Sequence, residues 1–425
     1  TAQDLYRVST QKQSVAFSYL SSGGRHDDTL SRVSKLTVSS TDVASYEYLG
    51  AGRVANVRLD AVSVFSGLYD PADSAGVYSN TDCFGRVTAS KWTKDLATDR
   101  TFYHVANTFD RNSNITLWDD QVFPGWDSAI TVDGLNRLTS SDSGTWSGSA
   151  IASGTRKEDW TNGGSGGLDQ LGNWVRYKLD LNHDGDWADT DEMDDSRTFN
   201  VANELTARDT DSNSSPNYSP AYDAVGNMTD DGKQYTLVYD AFGRLRFIKD
   251  RSSGDVIEEF AYNGLNHRVG WHYDADVDSD VDSNDPWFHF VYDRNWRMVA
   301  TVRNGDPDAK ELFVNHQAGS NGTGLALPLD ATVLRDREHS TSWANAPTGP
   351  TYQRAYYCQN FFGGRGDLVV VLSSAGVISQ QVRYSAYGVP YGLPAGDTNA
   401  DGSIVATPDI TAMNGWLGTS EVRGD

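Results

Sequence analysis

The chain has 425 residues, 38% hydrophobic and 11% aromatic, with 12 Trp and 21 Tyr, so it can bury a sizeable core that is aromatic rather than leucine-rich. A formal net charge of −23 argues against nucleic acid and anionic lipid as partners, because phosphate binding needs clustered Lys and Arg. Abundant Gly and the lack of Ala-Glu-Lys-Leu runs disfavour helices, while recurrent Val, Thr and Tyr favour strands.

No apolar run is long enough to cross a membrane. The polar opening Thr1–Tyr6 is not a signal peptide, so a processed or partial chain is expected. High Asp, low Lys and scarce Cys fit a secreted or cell-surface bacterial protein. The stretch Ser14-Val15-Ala16-Phe17-Ser18-Tyr19 alternates in polarity and carries no charge. It predicts a strand that could pair with an open sheet edge of a neighbouring chain.

From Tyr48 onward a seven-residue pattern recurs: aromatic, Asp, any residue, apolar, Gly, Arg or Asn, apolar. Copies run over 48–54, 81–87, 109–115, 132–138, 168–174, 199–205, 292–298 and 384–390. The clearest are Tyr222-Asp223-Ala224-Val225-Gly226-Asn227-Met228 and Tyr239-Asp240-Ala241-Phe242-Gly243-Arg244-Leu245. Asp bonds its own backbone and starts a turn. Gly supplies positive φ at low cost. The aromatic residue packs inward, and the Arg or Asn is expected to face solvent. Each copy therefore reads as the turn of a β-hairpin, with alternating strands such as Val256–Tyr262 between copies. Gly305 lies outside the pattern and is expected to tolerate substitution better than Gly243. Cys83 and Cys358 allow one disulfide or two thiols.

This pattern resembles the YD repeats of RHS-type shell proteins over roughly residues 23–393, and the stretch Asp367–Gly388 is similar to that family's associated core. The resemblance implies an all-β fold, with YD-repeat hairpins wound into a spiral β-sheet that forms a hollow shell or tube. Such shells enclose a toxin or serve as rigid extracellular material. The family's arginine- and aspartate-rich plug and its self-cleavage motif have no counterpart here, so no aspartyl autoproteolysis is carried over.

Calcium is the expected cofactor. In Asp180-Leu181-Asn182-His183-Asp184-Gly185-Asp186, oxygen donors alternate around a Gly, which lets them converge on one ion. Asp180, Asn182, Asp184, Asp186 and Asp191 are the predicted ligands of this loop insertion, about 180–192. Asp274, Asp276, Asp278, Asp280 and Asp282 also alternate; a flexible acidic loop is expected there, with weak calcium binding as the lesser alternative. A separate segment, 394–425, looks like the first calcium loop of a type I dockerin. Asp397, Asn399, Asp401, Ser403 and Asp409 are its ligands, although Asp409 sits one place late, and a short C-terminal helix follows Thr407.

Asp142-Ser143-Gly144-Thr145 has the form of an aspartic-protease motif, but that chemistry needs two such carboxylates and only one copy exists. Phosphate loops and hydrolase motifs are absent, so a non-enzymatic structural role is expected. The leading expectation is head-to-tail self-association through open sheet edges into a fibre, tube or cell-surface structure. A toxin-delivering shell fragment and a carbohydrate-binding adhesin are the alternatives, with other cell-surface proteins or glycans as further partners.

Overall fold

The computed structural model describes residues 3–6, 12–19, 31–50, 52–69, 77–96, 100–161, 167–189, 192–211, 213, 215–319, 326–328, 331–347, 349, 351–363 and 366–392. Among them the chain is nearly all β-strand, and helical structure is limited to the 3-10 turns Asp60–Val62 and Pro124–Trp126. The strands form two antiparallel sheets in strict chain order. One has 15 strands, from Gln3–Tyr6 to Leu205–Asp209, and the other 14, from Ala221–Tyr222 to Pro390–Gly392. The strand Lys12–Ser18 lies between Gln3–Tyr6 and Lys35–Val38 in that order. It is an interior strand and not the free edge that its uncharged alternation suggests. The expected C-terminal helix and the dockerin-like loop lie outside the described residues.

The chain divides into two compact units. One comprises Thr1–Ala16, Glu158–Asn315 and Leu334–Arg354, and the other Phe17–Lys157, His316–Val333 and Ala355–Asp425. In the second unit, burial alternates as a half-buried sheet requires. Along Arg53–Leu59, Val57 and Leu59 are buried whereas Asn56 and Arg58 are not. Trp92 is fully buried, donates its indole N–H to the Gln359 carbonyl at 3.0 Å and meets Phe361 edge-on at 6.2 Å. Tyr46 bonds His316 Nδ1 at 2.8 Å, and Arg383 pairs with Asp120 at 2.6 Å. These contacts join strands far apart in the chain and hold this unit together.

The expectation of an aromatic rather than leucine-rich core holds only in part: among the described residues the buried hydrophobics are mostly Val, Leu and Ala, and the first unit adds aromatic clusters. Trp160, Trp174 and Tyr177 form a triangle with centroid distances of 5.3–5.4 Å. Phe288 stacks on Trp343 at 5.2 Å, close to the thickness of an offset aromatic pair. Ala300, Ala309 and Leu312 complete a small apolar cluster. Cys83 is exposed and Cys358 buried, both as free thiols, so the disulfide alternative does not hold. Burial pushes the Cys358 thiol well above its ordinary range.

Candidate functional site

The recurring turn is the most ordered chemical feature of the chain. In the Asp240 turn, Oδ1 accepts the backbone N–H groups of Phe242 at 2.8 Å and Arg244 at 3.1 Å, and Oδ2 accepts Arg244 Nε at 2.7 Å. The backbone closes with Asp240 N to Arg244 O at 2.9 Å and Gly243 N to Asp240 O at 3.0 Å. A β-bulge between Val238 and Tyr239 precedes it and returns Tyr239 opposite Leu245. The same side-chain network forms around Asp82, Asp110, Asp133, Asp169, Asn200, Asp223 and Asp293.

Two further turns carry the network without the consensus letters. Asn263 accepts from Leu265 and His267, and Ser373 accepts Val377 N through its hydroxyl. Ser385 does the same for Val389 in the 384–390 copy. The 48–54 copy departs: Leu49 stands where Asp should, and Gly50 rather than Gly52 has positive φ. In the other described copies the position before the fifth turn residue turns left-handed. It holds Gly243 at φ +71°, but also Asn136 at +61°, Asn266 at +67° and even Trp296 at +68°.

The residue expected to face solvent instead joins one turn to the next. Arg86 reaches the carbonyl of Asp110 at 3.2 Å and lies over the Phe109 ring at 4.7 Å. Asn114 bonds Asn136 Oδ1 at 2.8 Å. In the first unit Asn173 bonds Asn203, and Arg244 reaches both Asn263 O and Asn266 Oδ1 at 3.1 Å while covering Tyr262 at 5.0 Å. His267 then abuts Trp296, with centroids 4.0 Å apart. The turns thus form a side-chain ladder within each unit. A guanidinium that is hydrogen-bonded on one side and stacked on the other serves this role better than Lys would.

Gly243→Val should cost about 1–3 kcal/mol, because a β-branched residue resists positive φ. The cost is chiefly conformational, since a Cβ there would meet nothing nearer than Asn227 Oδ1 at 3.8 Å. Gly305 is no control: its φ is +84°, so a substitution there is strained as well. Gly264, without positive φ and with nothing within 4 Å, is the proper comparison. Thermal melts of the two valine variants check this, and equal shifts would refute the assigned register.

The two acidic loops differ from each other. Asp180 is fully buried and accepts backbone N–H groups from Asn182 at 3.2 Å, from His183, and from Gly185 at 2.9 Å. Its oxygens therefore hold the loop's shape. Asn182 accepts from Asp184 N and donates to Asp189 Oδ2 at 3.0 Å, and Asp186 accepts from Trp187 and Ala188. Asp184 and Asp186 are exposed, and Asp191 lies outside the described residues. Glu192, not among the predicted ligands, closes the loop by accepting Leu181 N at 2.9 Å.

Among the described residues, the carboxylates that do converge are Asp274, Asp276 and Asp278, with ligand oxygens within 4.8 Å of one another. The loop is held from its base by buried Asp285, which accepts Ala275 N at 2.7 Å and Asp282 N at 3.0 Å. Partial desolvation and the neighbouring Asp278 and Asp285 raise the Asp276 carboxyl above the usual range. Beside the loop opens a polar groove of 350 Å³ walled by His272, Asp282, Trp287 and Arg303. Sequence alternation marks this stretch but gives no sign of Asp285, which lies outside the alternation.

No helix among the described residues is long and apolar enough to cross a membrane. No protein-family model matches the chain, and no curated protein matches it in sequence. Solved structures do match in fold. A chain of the Photorhabdus luminescens Tc holotoxin pore (TccC3 D651A mutant) aligns over 89% of this chain at 15% identity with a TM-score of 0.58. The TcdB2-TccC3 crystal structure aligns over 93% at 14% identity and the same TM-score of 0.58. TcdB2-TccC3-Cdc42 aligns over 93% at 13% and 0.54. The aligned part is 17% of the first of those chains and 19% of the other two. The likeness is one of fold, an RHS-like succession of antiparallel hairpins.

Proposed function

We propose that this chain is a segment of a longer RHS-type β-shell, a structural wall rather than a catalyst, in an extracellular toxin-delivery particle. The observation that carries this reading is the fold comparison. Nearly the whole chain follows a short part of much longer chains from Tc toxin assemblies. That support favours a shell fragment over the self-standing fibre. The turn ladder suits a wall, because each turn braces the next and the array stiffens along its length. Negative-stain imaging of the full-length gene product is the test. Closed particles with an internal cavity are expected, and filaments or compact solid particles would overturn the reading.

Calcium is the proposed brace of the acidic loops. A ligand that binds the folded chain alone stabilises it by mass action, about 2.7 kcal/mol at a hundredfold excess over its dissociation constant. Roughly millimolar calcium, the range of extracellular modules, should raise the melting temperature, and a chelator should reverse the rise. Asp276→Asn should remove the response if the converged triad binds, and Asp184→Asn if the 180–192 loop does. Identical melts with calcium and with chelator would sink the proposal for both loops.

A further inference from the structure

The apolar residue of the repeat is largely exposed at several of the described turns. In the Glu158–Asn315 part of the first unit it projects from the turn tips: Leu171 is 76% exposed, Val225 83%, Phe242 80% and Leu265 61%. Val201 and Trp296 are exposed at adjoining tip positions. One exposed hydrophobe is ordinary on any surface. Here the ladder joins the tips into a row. Asn173 bonds Asn203, a Cβ at Gly226 would lie 3.9 Å from Glu204 Oε1, and one at Gly243 would lie 3.8 Å from Asn227 Oδ1. Arg244 and His267 continue the row to Trp296. Successive tips are two strands apart, roughly 9.5 Å. Arg244 lies over Phe242 at 5.1 Å, which accounts for an apolar residue at that tip. The corresponding positions beside Leu171, Val225 and Leu265 hold Asn173, Asn227 and His267, which offer no such guanidinium.

We propose that this row of turn tips docks on the same row of a second copy of the chain, in an antiparallel, two-fold arrangement. Spacing is the first argument: a partner must repeat at the strand-pair interval to meet every tip, and another row of these turns does. Size is the second. The exposed tips together present roughly 800 Å², the share one partner contributes to a standard interface. Charge is the third. The turns at Asp169, Asn200 and Asp223 have Asn173, Glu204 and Asn227 as their fifth residue, whereas those at Asp240, Asn263 and Asp293 have Arg244, His267 and Arg297. Arg244 and Arg297 neutralise the Asp240 and Asp293 of their own turns, so antiparallel apposition sets the acidic half of each row against the neutral half of the other, whereas parallel apposition sets acidic against acidic. The tips are aliphatic as well as aromatic, which suits a protein surface better than the flat face of a sugar ring. A two-fold contact closes on itself, so it yields a dimer and not a filament. It uses turn tips and leaves the sheet edges free, and it stands independently of the shell reading.

Sedimentation velocity of the intact chain across the micromolar range tests this. A concentration-dependent dimer is expected for the native protein. The double variant Val225→Asp, Phe242→Asp should dimerise at least tenfold more weakly with little change in melting temperature, because neither side chain is buried. Val277→Asp, also exposed but in the acidic loop, should dimerise as the native chain does. A native chain that stays monomeric throughout, or a double variant that dimerises normally, would overturn the proposal. So would a native monomer that binds insoluble cellulose or chitin through the same two residues, since the row would then be a glycan platform.

Discussion

Asp120→Ala is expected to destabilise the second unit by about 3–5 kcal/mol, the usual cost of removing one partner from a buried ion pair. The Asp120 side chain is 2% exposed and that of Arg383 10%, and both Arg383 Nε and Nη2 donate to Asp120 Oδ2, at 3.1 and 2.6 Å. Arg383 also lies over the Tyr103 and Phe123 rings at 5.6 Å, so it cannot swing to water without leaving a gap. The other carboxylate oxygen accepts Val122 N and Phe123 N at 3.0 Å, which holds the approach to the Pro124–Trp126 turn. The alanine variant therefore leaves a buried guanidinium unpaired and two N–H groups unsatisfied. Urea denaturation reads the loss. The double variant Asp120→Leu, Arg383→Met should recover much of it, because an apolar pair needs no partner. A single variant within about 1 kcal/mol of the native chain would show that the pair is solvated.

Acid should unfold the chain through the ladder. The side-chain amides of Asn114, Asn173 and Asn227 hold the Asp110, Asp169 and Asp223 carboxyls below the ordinary range. The Arg244 guanidinium does so for Asp240, and the backbone N–H of Arg137 for Asp133. A folded pKa below the unfolded one gives stability that is fully present above the unfolded value, near 3.8, and is lost as pH falls through the folded values. Asp276 and Asp280 act in the opposite direction. Desolvation and neighbouring carboxylates raise them, so protonating them above pH 3.8 relieves repulsion. The melting temperature should therefore hold level or rise slightly as pH drops toward 4, then fall steeply below it. A melting temperature that declines smoothly from neutral pH would contradict this account. Asp240→Asn and Asp223→Asn together should make the acid limb shallower, because their amides have no proton to gain there.

The hairpin turn is legible in the sequence because its chemistry is local. Asp, its two backbone donors and the residue that clasps its second oxygen all lie within five positions. The Asn263 turn escapes the pattern because Asn263, Asn266 and His267 replace Asp, Gly and Arg, although each fills the same role in the network. The position that demands positive φ reads as glycine, but Trp296 occupies it too, held by its contact with His267. The outward role assigned to Arg86 and Arg244 fails for a different reason. Whether a side chain meets solvent or the next turn depends on strand order, which no single copy reveals. The Asp120–Arg383 pair spans 263 positions and leaves no local trace. The acidic stretch from Asp274 is legible as acidic and alternating. Its closure is not, because Asp285 enters from beyond the alternation.

Strict chain order also has a kinetic meaning. Each strand completes its backbone pairing with the strand just before it, so loop closure costs little at every step and the sheet can grow from one end as the polypeptide emerges. Little of the growing edge stays unpaired for long, which limits the time in which another chain could capture it. The exceptions are the links that reach back across the sequence, such as Arg383 to Asp120 and the Gln359 carbonyl to Trp92. These form only when the last hairpins arrive, and they act as latches that convert a series of loosely held hairpins into one cooperative unit.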